Sequence, residues 1–210
     1  MMPFTRKDDL KLAARTLAFA IDPEAAGGIA VGLQNKTVRR RAIDSSILLT
    51  EVTGETQEGL TLHVDILSFR DYPAVRLIAT LENRTAHSIT PKEPIVLPDM
   101  EFCGSFPRLL SDGIECPVIP DEIARNNAEE YHVCTEESSL SVRTNGKICF
   151  RRSPCGYFVR VETVCPELLP GSTFRLPDVF MMKAAGNEER LCSLLSDWEK
   201  AHGISFAPAE

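Results

Sequence analysis

Alternating apolar and polar residues dominate the chain between Thr16 and Lys183. The clearest segment is residues 59–67, in which every second residue is apolar: Leu60, Leu62, Val64 and Ile66. Because successive side chains of a strand point to opposite faces, this pattern predicts a strand with one buried face. Residues 74–83 repeat the pattern with Val75, Leu77, Ala79 and Leu81. The turn-like residues 70–73 lie between the two segments, so we predict an antiparallel hairpin with these apolar side chains in the core.

Further segments have the composition of strands, and turn residues separate them at intervals typical of sandwiches and barrels. They are residues 16–21, 28–34, 46–52, 88–97, 140–143, 147–151, 156–164 and 173–182. The dipeptide Asn145-Gly146 predicts a hairpin turn between residues 139–144 and 147–151, because a type I′ turn needs positive φ at both central residues. The chain therefore has about ten predicted strands.

Two stretches interrupt this pattern. Residues 101–120 are rich in Pro, Gly and Cys and are predicted to be a long irregular excursion. Residues 121–137 carry six acidic residues and are predicted to be irregular, with one short helix.

A helical pattern begins near the end of the sequence. Asn187 can cap a helix that Gly203 ends, and Leu191, Leu194 and Trp198 share its predicted core face. The predicted fold is all-β, an antiparallel β-sandwich with one C-terminal amphipathic helix. The predicted organisation is an N-terminal extension over residues 1–14, a sandwich domain over 15–186, and the helix with its tail over 187–210.

Composition and charge narrow the classes of partner. The 210 residues are 43% hydrophobic, enough for a substantial core, and 30 acidic against 23 basic residues give a net charge of -7. This balance disfavours nucleic acid and anionic membrane surfaces as partners. The basic run at residues 36–41 is predicted to be a solvated loop at a strand end.

The cysteines and the N-terminus predict the compartment. Seven cysteines are an odd number, and their spacing follows no compact disulfide framework. The first residues lack the apolar stretch of an export signal, and no apolar segment is long enough to span a bilayer. We therefore predict a cytoplasmic protein whose thiols are reduced and unligated.

No motif in the sequence predicts catalytic residues. Acidic pairs such as Glu129-Glu130 are expected from composition alone, and no serine has the Gly-x-Ser-x-Gly context of a nucleophile. Zinc sites usually contain Cys or His pairs two to four residues apart, and the nearest approach to that spacing is His132-Val133-Cys134. We predict no metal site and no cofactor.

Two phrases of the sequence resemble a known family. Residues 72–85, ending in Asn83-Arg84-Thr85, and residues 168–180 are similar to the N-terminal β-supersandwich domain of melibiase-type bacterial α-galactosidases. The resemblance implies that the first phrase forms paired strands ending in an Asn-x-Thr turn and that the second leads into the last strand. It also implies that residues 186–208 form the helix that leads into the catalytic barrel.

The resemblance implies a non-catalytic accessory domain of a carbohydrate-active hydrolase. In that family the catalytic aspartates lie on the barrel, so none is transferred to this chain. The expected partner is a catalytic barrel domain or a separate chain that carries it, and the parent protein is expected to be a glycoside hydrolase. This chain alone is expected to be inactive, and it could associate into a homo-oligomer.

Two alternatives remain open at the sequence level. One is a free-standing binding module for sugar or another small polar ligand, with Tyr72, Tyr131 and Tyr157 as candidate contacts. With 1 Trp and 7% aromatic residues, the stacking surface for a sugar is small, which favours the scaffold role. The other is a small complete enzyme with a cysteine or carboxylate site.

Overall fold

A computed structural model shows two antiparallel sheets and a C-terminal helix among the residues that it describes. It describes residue 10 and residues 33–104, 108–111, 114–116, 122–125, 130–154 and 156–203. Within these ranges the strands are β1 (Gln34–Ala42), β2 (Ile47–Glu55), β3 (Thr61–Phe69), β4 (Ala74–Glu82), β5 (Ile95–Cys103), β6 (Arg108–Ser111), β7 (Ile114–Glu115), β8 (Glu122–Arg125), β9 (Glu130–Cys134), β10 (Ser138–Thr144), β11 (Lys147–Arg152), β12 (Gly156–Thr163), β13 (Thr173–Arg175) and β14 (Val179–Ala185). Helix α1 spans Glu188–His202.

The two sheets differ in size. The larger has 10 strands in the order β1-β2-β3-β4-β14-β10-β9-β6-β7, with β13 also paired to β4. The smaller has 4 strands in the order β5-β12-β11-β8. Apolar side chains of both sheets form one buried cluster, which includes Val64 and Leu77 from the large sheet and Phe150 and Val159 from the small one. The predicted all-β sandwich is confirmed.

Helix α1 covers the outer face of the large sheet, so the protein has a helix, a large sheet and a small sheet in successive layers. The Asn187 side chain caps the helix by accepting a hydrogen bond from the Arg190 backbone N–H at 3.3 Å. Gly203 ends it with φ of 61°, a left-handed conformation that glycine adopts without steric cost. Leu191, Leu195 and Trp198 are buried, whereas Leu194, which was predicted for the same core face, is half-buried and packs against them.

The hairpin of β3 and β4 is confirmed in detail. Leu62 lies opposite Leu81, Val64 opposite Ala79, and Ile66 opposite Leu77. The apolar residues predicted for this part of the core are all buried, with exposed fractions between 0% and 6%. A shift by one residue would turn these side chains to the outer face, so their burial fixes the register.

The predicted hairpin at Asn145-Gly146 is wrong. β10 pairs with β14 and β9 in the large sheet, whereas β11 pairs with β12 and β8 in the small one. The dipeptide therefore carries the chain from one sheet to the other. An added Cβ on Gly146 would lie 2.6 Å from Cγ of Pro177, so close packing accounts for this glycine.

The predictions for residues 101–137 are also wrong in the described parts. Residues 101–103 complete β5, and β6, β7, β8 and β9 follow, where we expected an irregular excursion and a short helix. These strands are too short to show a clear alternation, and in β9 both faces are covered. Glu130, an acidic residue on the covered outer face, made β9 look solvent-exposed.

Three further segments have strand boundaries that differ from the predicted ones. The basic run at residues 36–41 lies within strand β1, and its almost entirely exposed side chains hide the alternation. Residues 173–182 form two strands separated at Pro177, which has no N–H to donate to a ladder. The strand predicted over residues 88–97 begins only at Ile95, although Ile89 forms an isolated bridge with Leu168.

Other predictions lie wholly or mainly outside the described residues. These are the strands over residues 16–21 and 28–34 and the extension over residues 1–14. The domain boundaries at residues 15 and 186 remain predictions.

The prediction that the thiols are reduced and unpaired is wrong for Cys103, which is disulfide-bonded. Cys103 ends β5 opposite Gly156 of β12, a pairing of distant segments that spacing along the sequence does not report. Cys116, Cys134, Cys149, Cys165 and Cys192 form no disulfide. Over the ranges described, no helix has the length and apolar character needed to cross a membrane.

Candidate functional site

The candidate ligand contacts Tyr72, Tyr131 and Tyr157 do not form one site. Tyr131 and Tyr157 are 2% and 3% exposed and belong to the core between the sheets. Tyr72 is half-buried on the opposite, helix-bearing face of the large sheet, and its hydroxyl donates to the Asp197 carbonyl at 3.2 Å. Of the three rings, Tyr72 alone retains a partly exposed surface for a ligand, and its role as a contact remains a prediction.

The outer face of the large sheet carries a charged cluster beneath α1. Alternation along β9 puts Glu130 and His132 on this face, and the antiparallel register brings Arg143 and Ser141 of β10 directly opposite them. On the helix, Glu188 and Glu199 lie about three turns apart and so on the same side. We call these six residues the seam cluster.

Glu130 is the centre of the seam cluster. Its Oε1 atom lies 2.8 Å from Nε2 of His132, 2.9 Å from Nε of Arg143 and 3.0 Å from Oγ of Ser141. The helix completes the cluster, because Nδ1 of His132 lies 3.2 Å from Oε1 of Glu188 and Arg143 donates to Glu199. His132 and Arg143 are nearly buried, with side chains 9% and 11% exposed.

These contacts determine the charge states. Burial alone would raise the pKa of Glu130, but the hydrogen bonds from His132 and Arg143 lower it to about 2. Burial alone would lower the pKa of His132, but Glu130 and then Glu188 raise it. At neutral pH Glu130 is ionised and has no proton to donate. The contacts of His132 with Glu188 and of Arg143 with Glu199 attach the helix to the sheet.

A second pair of carboxylates lies on the same face, further along the sheet. Asp65 of β3 is directly opposite Glu51 of β2. Burial and then the nearby charge of Glu51 raise the pKa of Asp65. Nε of Arg41 in β1 lies 3.6 Å from Oε2 of Glu51, and its positive charge offsets part of the repulsion between the two carboxylates.

The core contains a lysine that sequence analysis missed. Lys183 of β14 is 4% exposed, and its Nζ lies 4.4 Å from the ring centroid of Phe102 in the small sheet. Burial lowers the pKa of this ammonium group to about 8. The sequence did contain a signal for the burial of Lys183. Alternation along the apolar segment 179–185 places residues 179, 181 and 183 on the inner face of the strand.

The two phrases that carry the family resemblance meet at Asn83. Its Oδ1 accepts hydrogen bonds from the backbone N–H and the hydroxyl of Thr85, at 3.0 and 2.8 Å. Its Nδ2 donates to the carbonyls of His87 and Leu168, at 2.9 and 2.7 Å. The Asn-x-Thr turn implied by the resemblance is therefore present, and one fully buried amide joins it to the second phrase.

Among the residues that the structure describes, one group could hold a metal ion. Ligand atoms of His132, Glu188 and Cys192 all lie within 4.8 Å of one another. Glu188 and Cys192 occupy consecutive turns of α1, and His132 faces them from β9. Because these residues are far apart in sequence, spacing could not reveal the group.

Comparison with known proteins gives a similarity of fold. No protein-family model matches the sequence, and no curated protein is significantly similar to it. The α-galactosidase of Lactobacillus brevis superposes with a TM-score of 0.59 and 10% identity over 80% of this chain and 29% of its own. The GH36 α-galactosidase AgaA of Geobacillus stearothermophilus gives 0.55 and 9% over 74% and 28%. The galactosidase domain of the α-galactosidase-sucrose kinase AgaSK gives 0.59 and 12% over 77% and 29%.

The coverage is asymmetric in the same way in each comparison. Most of this chain is matched, yet it spans only 28% to 29% of the lengths of these α-galactosidases. The resemblance predicted from residues 72–85 and 168–180 is thus confirmed as a likeness of fold, and the chain has the fold of one part of GH36 α-galactosidases.

Proposed function

We propose that this chain is a non-catalytic accessory domain that supports the catalytic barrel of an α-galactosidase-like hydrolase. The observation that carries the proposal is the asymmetric coverage, in which at least 74% of the chain matches a segment making up 28% to 29% of each enzyme. A structural unit with its own core can stabilise a neighbouring domain without contributing reacting groups.

The chemistry of the described residues supports this role. The most enclosed carboxylate of the seam cluster, Glu130, is paired with His132 and Arg143. Its pKa of about 2 keeps it from acting as a proton donor at neutral pH. The proposed catalytic groups therefore belong to the partner barrel.

The test uses the part of the Lactobacillus brevis α-galactosidase outside the matched segment. This catalytic part should be produced alone, with the present chain, and with an unrelated β-sandwich of similar size. We expect the present chain to raise the soluble yield and α-galactoside hydrolysis of the catalytic part, and the unrelated sandwich to have no effect.

The same preparations test the alternative of a free-standing sugar-binding module. Calorimetric titration of the isolated chain with galactose and raffinose should show no saturable binding if the accessory role is correct. Saturable binding that Tyr72→Ala abolishes, together with no effect on the catalytic part, would replace the accessory role with the binding module.

The proposed compartment is the cytoplasm. Five cysteines that form no disulfide suit a reducing environment, whereas the disulfide at Cys103 does not: Cys116, Cys134, Cys149, Cys165 and Cys192. Thiol labelling in intact cells tests this. A reduced Cys103 would support the cytoplasm, and a fully oxidised Cys103 would contradict it.

A further inference from the structure

We propose that the protein binds a zinc ion between strand β9 and the first turns of helix α1, with His132, Glu188 and Cys192 as ligands. This inference is independent of the proposed accessory function. The ligand atoms lie within 4.8 Å of one another. Zinc bonds of about 2.0 to 2.3 Å in tetrahedral geometry separate ligand atoms by roughly 3.5 Å, so the group must contract by about 1 Å. Side-chain rotations can supply that change without moving the backbone.

The backbone places the three side chains on facing surfaces. Glu188 and Cys192 are four residues apart on α1, so they project from the same side of the helix. The Asn187 cap fixes the start of the helix and with it the position of Glu188. His132 is on the outer face of β9, and its contact with Glu188 shows that the two surfaces already meet.

His132 is oriented as metal-binding histidines usually are. Its Nε2 lies 2.8 Å from Glu130, which Arg143 and Ser141 hold in place. A carboxylate at one ring nitrogen fixes the proton there and directs the lone pair of the other nitrogen to a metal. Here that other atom is Nδ1, which faces Glu188 at 3.2 Å.

The ligand types favour zinc among common divalent ions. A thiolate and an imidazole are poor ligands for Mg²⁺ and Ca²⁺, which prefer oxygen atoms, but are typical of zinc sites. Three protein ligands leave a fourth coordination position. Cys192 is exposed, so water can reach that position.

Metal binding at this position should release protons. Titratable and charged groups surround the site from β6, β9, β10 and α1: Arg108, Glu130, Cys134, Arg143 and Glu199. Zinc must displace the proton on Nδ1 and the thiol proton, so binding should tighten as pH rises.

The experiment uses the full chain, stripped of metal with a chelator and titrated separately with ZnCl₂ and CoCl₂. We expect one zinc per chain and, with cobalt, a thiolate-to-metal charge-transfer band in the near ultraviolet. Calorimetry in buffers of different ionisation enthalpy should report release of protons when zinc binds near neutral pH.

Variants locate the site. Cys192→Ser should abolish the charge-transfer band, and Glu188→Gln should weaken zinc binding at least tenfold. Glu189→Gln is the matched control, because Glu189 is the exposed neighbour in the same first turn. Circular dichroism and a thermal melt should show that each variant is folded. If Glu188→Gln does not fold, Glu188→Asp replaces it, and we then expect a smaller loss of zinc affinity.

Three results would overturn the proposal. The first is the absence of a cobalt charge-transfer band in the folded wild-type protein. The second is a band that persists in Cys192→Ser, which would assign the thiolate to another cysteine. The third is equal zinc affinity in the Glu188→Gln and Glu189→Gln proteins.

Discussion

Asn83 shows how one side chain can organise a loop region. Its amide is fully buried, and it forms hydrogen bonds with groups of the turn at residues 83–87 and with the carbonyl of Leu168. Each backbone carbonyl that loses a buried donor costs about 1 to 3 kcal/mol. The amide therefore stabilises both loops together.

Replacing this amide should cost stability. We expect Asn83→Ala to lower the free energy of unfolding by at least about 2 kcal/mol, because the carbonyls of His87 and Leu168 lose their donor. Urea denaturation measures the change. Arg84→Ala, in the same turn but with a side chain that is 59% exposed, is the control and should change stability by less than about 1 kcal/mol. Equal effects of the two variants would contradict this role of Asn83.

The low pKa of Glu130 predicts that the protein loses stability in acid. The pKa of Glu130 falls from 4.5 to about 2 on folding, so its contribution is complete above pH 4.5 and disappears as pH falls towards 2. Glu130 contributes about 2 to 3 kcal/mol to the free energy of unfolding, after allowance for solvent screening of a side chain that is 25% exposed. Over this range His132 is protonated in both folded and unfolded states, because its pKa is raised from 6.5.

The measurement compares wild-type and Glu130→Gln proteins by urea denaturation from pH 2 to pH 6. We expect the stability difference between them to shrink by most of that amount between pH 4.5 and pH 2. A difference that stays constant with pH would show that Glu130 acts through packing alone.

A strand could be predicted from the sequence when one of its faces meets water and the other is buried. β3 and β4 alternate cleanly because their outer faces are partly solvated, so the register could be predicted. β9 is covered on both faces, and its alternate residues Glu130 and His132 are satisfied by Arg143 and by the helix. Only the three-dimensional partners reveal that these polar residues belong to a strand.

The same reasoning explains why the seam cluster and the candidate zinc ligands could not be predicted. His132 and Glu188 are 56 residues apart in sequence, and the contact exists only because α1 folds back onto the large sheet. The hairpin predicted at Asn145-Gly146 was wrong for a related reason. The dipeptide has turn chemistry, but the strands on either side of it pair with β14 and β12, which belong to different sheets.

Helix α1 should depend mainly on Trp198 for its attachment. The indole is fully buried, with ring centroids 5.3 Å from Phe69 and 4.4 Å from Phe180. Trp198→Ala should reduce the free energy of unfolding by about 3 to 5 kcal/mol, because it leaves a large cavity between helix and sheet. Lys200→Ala, on the exposed side of the helix, should have an effect below about 0.5 kcal/mol in the same denaturation experiment. Similar effects of both changes would mean that the helix packs loosely.

For the whole molecule, the layered arrangement separates core packing from the charged groups. The two sheets bury one apolar cluster, while the seam cluster and the Asp65–Glu51 pair lie on the outer face of the large sheet. Retaining glycosidases need two carboxyl groups about 5 to 5.5 Å apart on either side of a sugar, one of them protonated. Glu130 is ionised and paired, and Asp65 lies beside Glu51 on a sheet surface.

We therefore expect the purified chain to hydrolyse aryl α-galactosides no faster than a buffer blank. Asp65 is the carboxylate to test, because its raised pKa gives it the most acid-like environment among the groups described above. The assay should follow release of nitrophenol from wild-type, Asp65→Asn and Glu130→Gln proteins after repeated purification. Contaminating activity would be equal in all three preparations. Turnover that survives purification and disappears in one variant would show that this chain carries its own catalytic carboxylate, and the accessory role would then have to be abandoned.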